Sequence, residues 1–220
     1  MFTGCEAVTG SGNLATRTFD FTHFTKVETE KGFQLELTES STFSVEVTAD
    51  DNVLEHIKVD KPGETLKVSL QWNRSYRSVT LRVKVTMPDL HGIKLATGSQ
   101  ADIYGFSSSN DFTAIVSNGS ELTGSIEAGD VDISLSEGSD ATLAGSCDNL
   151  VVKSSDGSQL KMESFHADNA DISISEGGSA IIHVSGTLDV DLSSGSTVIY
   201  TGEPTMGDIN VTGGSEVRKK

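Results

Sequence analysis

Two hydrophobic patterns divide the chain. From about residue 16 to 87, apolar residues alternate with polar ones at a period of two. Phe33, Leu35 and Leu37 share one parity, as do Phe43, Val45 and Val47. Ile57 and Val59 follow, then Leu66, Val68 and Leu70. A last run sets Val79, Leu81, Val83, Val85 and Met87 against Thr80, Arg82, Lys84 and Thr86. Period-two alternation predicts strands of a sheet wetted on one face. Ala49-Asp50-Asp51-Asn52, Lys61-Pro62-Gly63-Glu64 and Asn73-Arg74-Ser75 read as turns between them, and Pro88 closes the last run. Trp72 and Tyr76 flank the third turn and are expected to pack over its end.

Beyond residue 90 the pattern becomes a repeat. Gly-Ser recurs with its serine at Ser99, Ser120, Ser139, Ser158, Ser179, Ser196 and Ser215, spaced 21, 19, 19, 21, 17 and 19 residues apart. Two residues after each serine stands an apolar residue: Ala101, Leu122, Ala141, Leu160, Ile181, Val198 and Val217. Before it, Ile93 and Leu95, Ile133 and Leu135, or Val190 and Leu192 mark a second short strand. The fifth unit departs from this, and Glu176-Gly177-Gly178 reads as a corner with one extra residue, Ile172 and Ile174 taking the apolar places. One unit of strand, corner and strand cannot bury its own apolar face, but stacked units can. The prediction is all-β: a right-handed β-helix-like solenoid of short strands, about 19 residues per coil, preceded by an antiparallel or mixed β region. Leu122, Leu160, Ile181 and Val198 should form one internal column. An antiparallel meander of the same period is the alternative. The implied division is an N-terminal segment 1–12, a β region 13–90, a repeat region 91–217 and a basic tail 218–220.

Charge follows the same boundary. Residues 1–94 carry 11 basic and 13 acidic side chains, whereas residues 95–217 carry 19 acidic ones against Lys153 and Lys161 alone. With a formal net charge of -16, the chain is a poor partner for nucleic acid or an anionic membrane. No apolar run is long enough to span a bilayer. Phe2-Thr3-Gly4-Cys5 has the look of a processed lipoprotein signal, with Cys5 as the lipidated residue. Two cysteines, Cys5 and Cys147, make no disulfide framework.

Candidate chemistry is sparse. Asp171, Asp189 and Asp208 fall at matching places of successive units, hence about 5 Å apart if the coils stack. Such a ladder suits an oxygen-liganded divalent cation, and its spacing also meets that of a retaining glycosidase pair. Exposed aspartates at this spacing are also simply solvated, and neither an aromatic platform nor a matching basic group stands nearby. His23, His56, His91, His166 and His183 are scattered, with His91 and His183 about five units apart, too far to share a zinc ion. Serine-hydrolase elbow, P-loop and HExxH signatures are absent. No catalytic, cofactor-binding or metal residue is therefore assigned, and no cofactor is expected.

Three stretches carry a family likeness. Phe19-Asp20-Phe21-Thr22-His23-Phe24-Thr25-Lys26-Val27, Val85-Thr86-Met87-Pro88-Asp89-Leu90 and Val198-Ile199-Tyr200-Thr201-Gly202-Glu203-Pro204, together with the serial Gly-Ser corners, resemble the bacterial auto-transporter adhesin, head GIN domain family over about residues 10 to 217. The family's usual Gly-Ser-Gly corner is not kept, the third residue here being Gln100, Glu121, Asp140, Gln159, Ala180, Thr197 or Glu216. The resemblance implies an exported, envelope-associated β protein, periplasmic, outer-membrane-associated or at the cell surface, with no catalytic residues to carry over. A non-enzymatic structural or adhesion-like role is expected, with another protein or a glycan as partner. A polysaccharide-acting β-helix enzyme and a scaffold self-associating through sheet edges or coil ends are the alternatives.

Overall fold

The computed structural model describes residues 7–71 and 74–220. Cys5, Trp72 and Asn73, and with them the lipidation and Trp72 packing expectations, lie outside the described residues. The first part of the chain forms β1 (Ala7–Thr9), β2 (Leu14–Phe19), β3 (Lys26–Glu30), β4 (Gln34–Glu39), β5 (Ser44–Asp50), one helical turn α1 (Asp51–Leu54), β6 (Ile57–Asp60), β7 (Thr65–Leu70), β8 (Ser75–Arg77) and β9 (Leu81–Met87). There follow β10 (Gly92–Ala96), β11 (Gln100–Ser107), β12 (Phe112–Val116), β13 (Glu121–Glu127), β14 (Asp130–Leu135), β15 (Asp140–Ser154) and β16 (Gln159–Ile174). The chain ends in β17 (Ser179–Val184), β18 (Thr187–Leu192), β19 (Thr197–Thr201), β20 (Thr205–Val211) and β21 (Glu216–Lys219). The expected turn at Asp51-Asn52 is thus a single turn of helix, which buries Val53 and Leu54.

The fold is a β-solenoid headed by a mixed β region. Every pairing between consecutive coils is parallel. Before the corner, β10, β12, β14, the second halves of β15 and β16, β18 and β20 stack in one column. After it, β11, β13, the first halves of β15 and β16, β17, β19 and β21 stack in another. Both columns run on into the N-terminal residues: β3 pairs with β10 and β7, and β4 pairs with β11 and β9, all parallel. The β3–β4 coil therefore lies between the β7–β9 coil, which follows it in sequence, and the β10–β11 coil. Antiparallel strands close this end, β6 on β7, β5 on β9 and β2 on β5, while β1 pairs parallel with β8. One apolar cluster runs from Phe24 to Val198.

Two consecutive residues of positive φ make each corner, as in a type I′ turn: Asn118 (54°) and Gly119 (66°), Glu137 (57°) and Gly138 (69°), Asp156 (55°) and Gly157 (72°). Glycine takes the second place because a Cβ resists this region. Its N–H then donates along the stack, Gly119 to the Glu137 carbonyl and Gly138 to the Asp156 carbonyl, both at 3.0 Å. The serine that follows is buried. Its hydroxyl donates to the carbonyl three residues back (Ser120 to Ser117, 2.7 Å; Ser139 to Ser136, 2.6 Å) and accepts the N–H of the preceding coil's serine (Ser99 N to Ser120 Oγ, 3.3 Å; Ser139 N to Ser158 Oγ, 3.2 Å). A small hydroxyl thus satisfies two backbone groups that the corner would otherwise bury unpaired.

The fifth unit corrects the sequence register. Its corner is Glu176-Gly177 with no extra residue, and Gly178, not Ser179, fills the serine place. Ser179 pairs with Gln159 and Thr197, one position later. Ala180 therefore enters the internal column at 1% exposure, and Ile181 is displaced to the outer face. The additional residue is absorbed at the bend of β16, where the pairing with β15 shifts between Thr142 and Gly145. Leu122, Leu160 and Val198 do lie in the core.

The end cap depends on one carboxylate. Asp50, nearly fully buried, accepts N–H bonds from Thr80 and Gly12, each 2.7 Å. Gly10 lies so close that a Cβ there would meet the Asp50 carboxylate at 2.8 Å. The Thr80 and then the Gly12 bond hold the Asp50 carboxyl below its ordinary 3.8. A depressed native value means that this stabilisation is complete above about pH 3.8 and is lost as pH falls through the native value. Asp50→Asn is expected to lower the urea midpoint at neutral pH and to flatten its fall below pH about 3.8, measured by urea titrations across that range.

Buried hydroxyls give a second expectation. Thr29 and Ser154 point into the same inner column, and neither hydroxyl has a partner. Thr29→Val should stabilise the fold by about 1 kcal/mol by removing an unpaired buried hydroxyl. Ser120→Ala should cost about 1–3 kcal/mol, because it orphans the Ser99 N–H and the Ser117 carbonyl. Thermal melts of the two variants against the parent chain test both signs.

Candidate functional site

Outward positions of the pre-corner column form an open groove. Register places Lys94, Ile115, Ser134, Lys153, Ser173 and Asp191 side by side on successive coils, about 4.8 Å apart. Beside them run the serines that enter each corner. Together Ile115, Ser134, Ser136, Lys153, Ser155, Ser173, Ser175, Asp191 and Ser193 line a groove of about 380 Å³. Lys153 stands in its middle, with Ile115, 41% exposed, toward one end and Asp191 toward the other. Of the two lysines in the acidic region, this is the one centred in a run of serines. Lys94 and Lys67, by contrast, share Glu28 at 3.6 and 3.0 Å.

The predicted aspartate ladder forms in part. Asp171 pairs directly with Asp189. The register then shifts between Leu188 and Val190, so that Gly207 and Asp208 face Asp189 as a bulge. The Asp189 carboxylate accepts the Asp208 backbone N–H at 2.7 Å, and a Cβ on Gly207 would lie 2.1 Å from the same oxygen. Asp189 thus closes a bulge. Asp132 is separated from Asp171 by Val151. Among the described residues no group of three or more histidine, cysteine or acidic side chains converges.

Acidic side chains also stack at the corners. Asn118 donates its amide to Glu137, and Asp156 and Glu176 meet on consecutive coils. The Ser155 hydroxyl, 2.7 Å away, and then Glu176 hold the Asp156 carboxyl below its usual value, while the bond to Asp156 holds Glu176 above its own. The histidines divide differently from expectation. His91 bonds Asp89 at 2.7 Å on the crossover into β10. His166 and His183 meet as register partners, with ring centres 4.5 Å apart. Sequence spacing hid this pair, because the two residues flank the unit whose length departs from the rest.

Comparison with known proteins places the architecture. Residues 23–204 match the family described as "Putative auto-transporter adhesin, head GIN domain". The chain belongs to this family. As a member it is an adhesion-type, extracytoplasmic protein. Among solved structures, a putative adhesin from Bacteroides fragilis NCTC 9343 superposes with a TM-score of 0.87 at 16% identity, covering 97% of this chain and 100% of that one. A putative lipid binding protein from Parabacteroides distasonis ATCC 8503 gives 0.79 at 16% identity, over 98% and 100% of the two chains. A putative adhesin from Parabacteroides merdae ATCC 43184 gives 0.73 at 16%, over 97% and 99%. At this identity the likeness is one of fold. No curated protein matches the chain. No helix among the described residues is long and apolar enough to cross a membrane.

Cys147 is a buried residue of β15. It is 6% exposed, and burial, followed by the charges of Asp130, Asp148 and Asp168, pushes its thiol up to about 12. A thiol held protonated is a poor nucleophile. Iodoacetamide should leave Cys147 unmodified in native buffer and label it fully in urea, read by peptide mass mapping, which separates it from Cys5.

Proposed function

We propose that this adhesion-type solenoid recognises a glycan strand along the groove centred on Lys153. The observation that carries the reading is the run of serine hydroxyls on both sides of Lys153 across consecutive coils. Hydroxyl rows at about 4.8 Å offer repeated donors and acceptors to a polyhydroxylated chain lying across the coils. Lys153 adds three donors on a flexible stem. The negative charge of the surrounding repeat region disfavours a strongly anionic polymer, so a neutral or weakly acidic glycan fits best. Extended repeat surfaces suit such contacts. In this reading residues 13–90 serve as the closing head of the rod and residues 91–217 as its binding face. Cys5 is the site of a lipid anchor that holds the rod at the envelope.

Self-association is the second reading. Met206, Ile209 and Val211 of β20 continue the core columns of Leu188, Val190 and Leu192, yet are 39–42% exposed. A glycan array followed by calorimetry on its best ligand tests the first reading. Lys153→Glu and Ser173→Leu are each expected to weaken binding at least tenfold without changing the melting temperature by more than a few degrees. Unchanged affinity in both variants overturns the groove. Concentration-dependent sedimentation, with no glycan bound, supports the second reading instead.

A further inference from the structure

We propose that His166 and His183 form a two-imidazole site for a divalent first-row transition cation, with Zn²⁺ or Cu²⁺ the best fit. The site lies on the post-corner strands β16 and β17, away from the Lys153 groove, and is independent of the glycan reading.

Three observations converge. The first is register: His166 and His183 are direct partners in parallel strands, so their side chains leave the same face of consecutive coils. The second is separation. With Zn–N at about 2.0–2.1 Å, two imidazoles on one metal at angles of roughly 90–110° have ring centres about 4.5–5.2 Å apart. The observed ring separation is 4.5 Å. The planes are inclined at 64°, and rotation of the exposed His166 ring turns its nitrogen toward the shared point. The third is the hydrogen bonding of His183. Its Nδ1 lies 2.9 Å from Thr201 Oγ1, and that hydroxyl donates its one proton to the Ile182 carbonyl at 3.3 Å. With the hydroxyl proton on that carbonyl, Nδ1 is the donor and the Nε2 lone pair is free, and we assign this tautomer to the site. Threonine here plays the part that an outer-shell acceptor plays at a metal-bound histidine, fixing both tautomer and ring.

Imidazole donors select zinc, copper or nickel over calcium or magnesium. Two protein ligands leave the remaining positions to water or to an oxygen or nitrogen donor of a partner. The surrounding excess of acidic residues raises the local concentration of cations.

Zn²⁺ added to the full chain and followed by calorimetry should show one site. His166→Gln and His183→Gln should each weaken it at least tenfold, and Thr201→Val about tenfold. Cu²⁺ should give an electron paramagnetic resonance spectrum with coupling to two imidazole nitrogens, reduced to one in either histidine variant. Imidazole nitrogen NMR of the metal-free protein should find His183 protonated at Nδ1, a readout that does not depend on metal. Zinc binding unchanged in the His166→Gln/His183→Gln double variant overturns the proposal, as does the absence of binding in the parent chain at millimolar metal.

Discussion

The rod depends on a backbone conformation that most residues resist. At every corner two consecutive residues take positive φ, and the chain turns between two strands that both remain in parallel ladders. A left-handed residue with a Cβ costs roughly 1–2 kcal/mol, so the second place is given to glycine and the first to whatever the stack can compensate. Compensation comes from hydrogen bonds that run along the rod. From Gly98 to Gly195 the corner glycine N–H is captured by the carbonyl of the next coil's left-handed residue, and hydroxyls such as those of Ser120 and Ser158 accept an N–H from the neighbouring coil. A single coil has none of these partners from its neighbours and keeps only the serine bond to its own carbonyl three residues back. The corner is stable only as a column, and this couples the units into one object.

That coupling explains which parts were legible in the sequence. Gly-Ser spacing disclosed the coils because a left-handed glycine and a buried serine that bonds the backbone recur from corner to corner. Leu122, Leu160 and Val198 followed from it directly. The register failed where the serine place is occupied by glycine: at Gly178 the Gly-Ser string reappears one residue late, and Ala180 rather than Ile181 fills the column. The same blindness applied to Lys31-Gly32-Phe33. Its two positive φ angles make it a corner of the same kind, but Phe33 stands where serine is expected, buried at 0%. Here an aromatic ring stands in place of the hydroxyl and joins the buried cluster at the head of the rod. The head's alternation was visible, but not that its β3–β4 coil lies between two later ones. Nothing local records an order of stacking in which sequence neighbours are not spatial neighbours.

The candidate sites show the converse. A side chain on the outer face is free of packing demands, so its identity carries little about its neighbours until the register is known. Lys153 and the flanking serines belong to columns whose members are 18 to 21 residues apart and change spacing from coil to coil. The groove they line exists only after stacking. The same holds for His166 and His183, whose 17-residue separation matches no regular repeat because the pairing of β16 with β17 shifts between Lys161 and His166. Inner columns were readable because burial enforces one chemistry on every coil. Outer columns required the fold first.

The two ends of the rod solve one problem in different ways. Parallel coils leave an open edge at each end, and an open edge is a template for a foreign strand. At the head, antiparallel strands and a helical turn cover it, held by the buried Asp50. At the other end β20 exposes residues that continue the core, but its edge is irregular and charged. The bulge at Gly207–Asp208 breaks the even spacing that strand addition needs, and Asp189 fixes that bulge by bonding the Asp208 N–H. In β21, Arg218 and Lys219 project from the edge coil, with Lys219 paired to Glu203 at 2.6 Å and Lys220 to Glu163. Seen in place, the aspartates that suggest a metal ladder in the sequence have a simpler physical role. Asp189 distorts the last ladder and Asp208 charges it, so that a strand arriving in register meets both a misfit and a like charge.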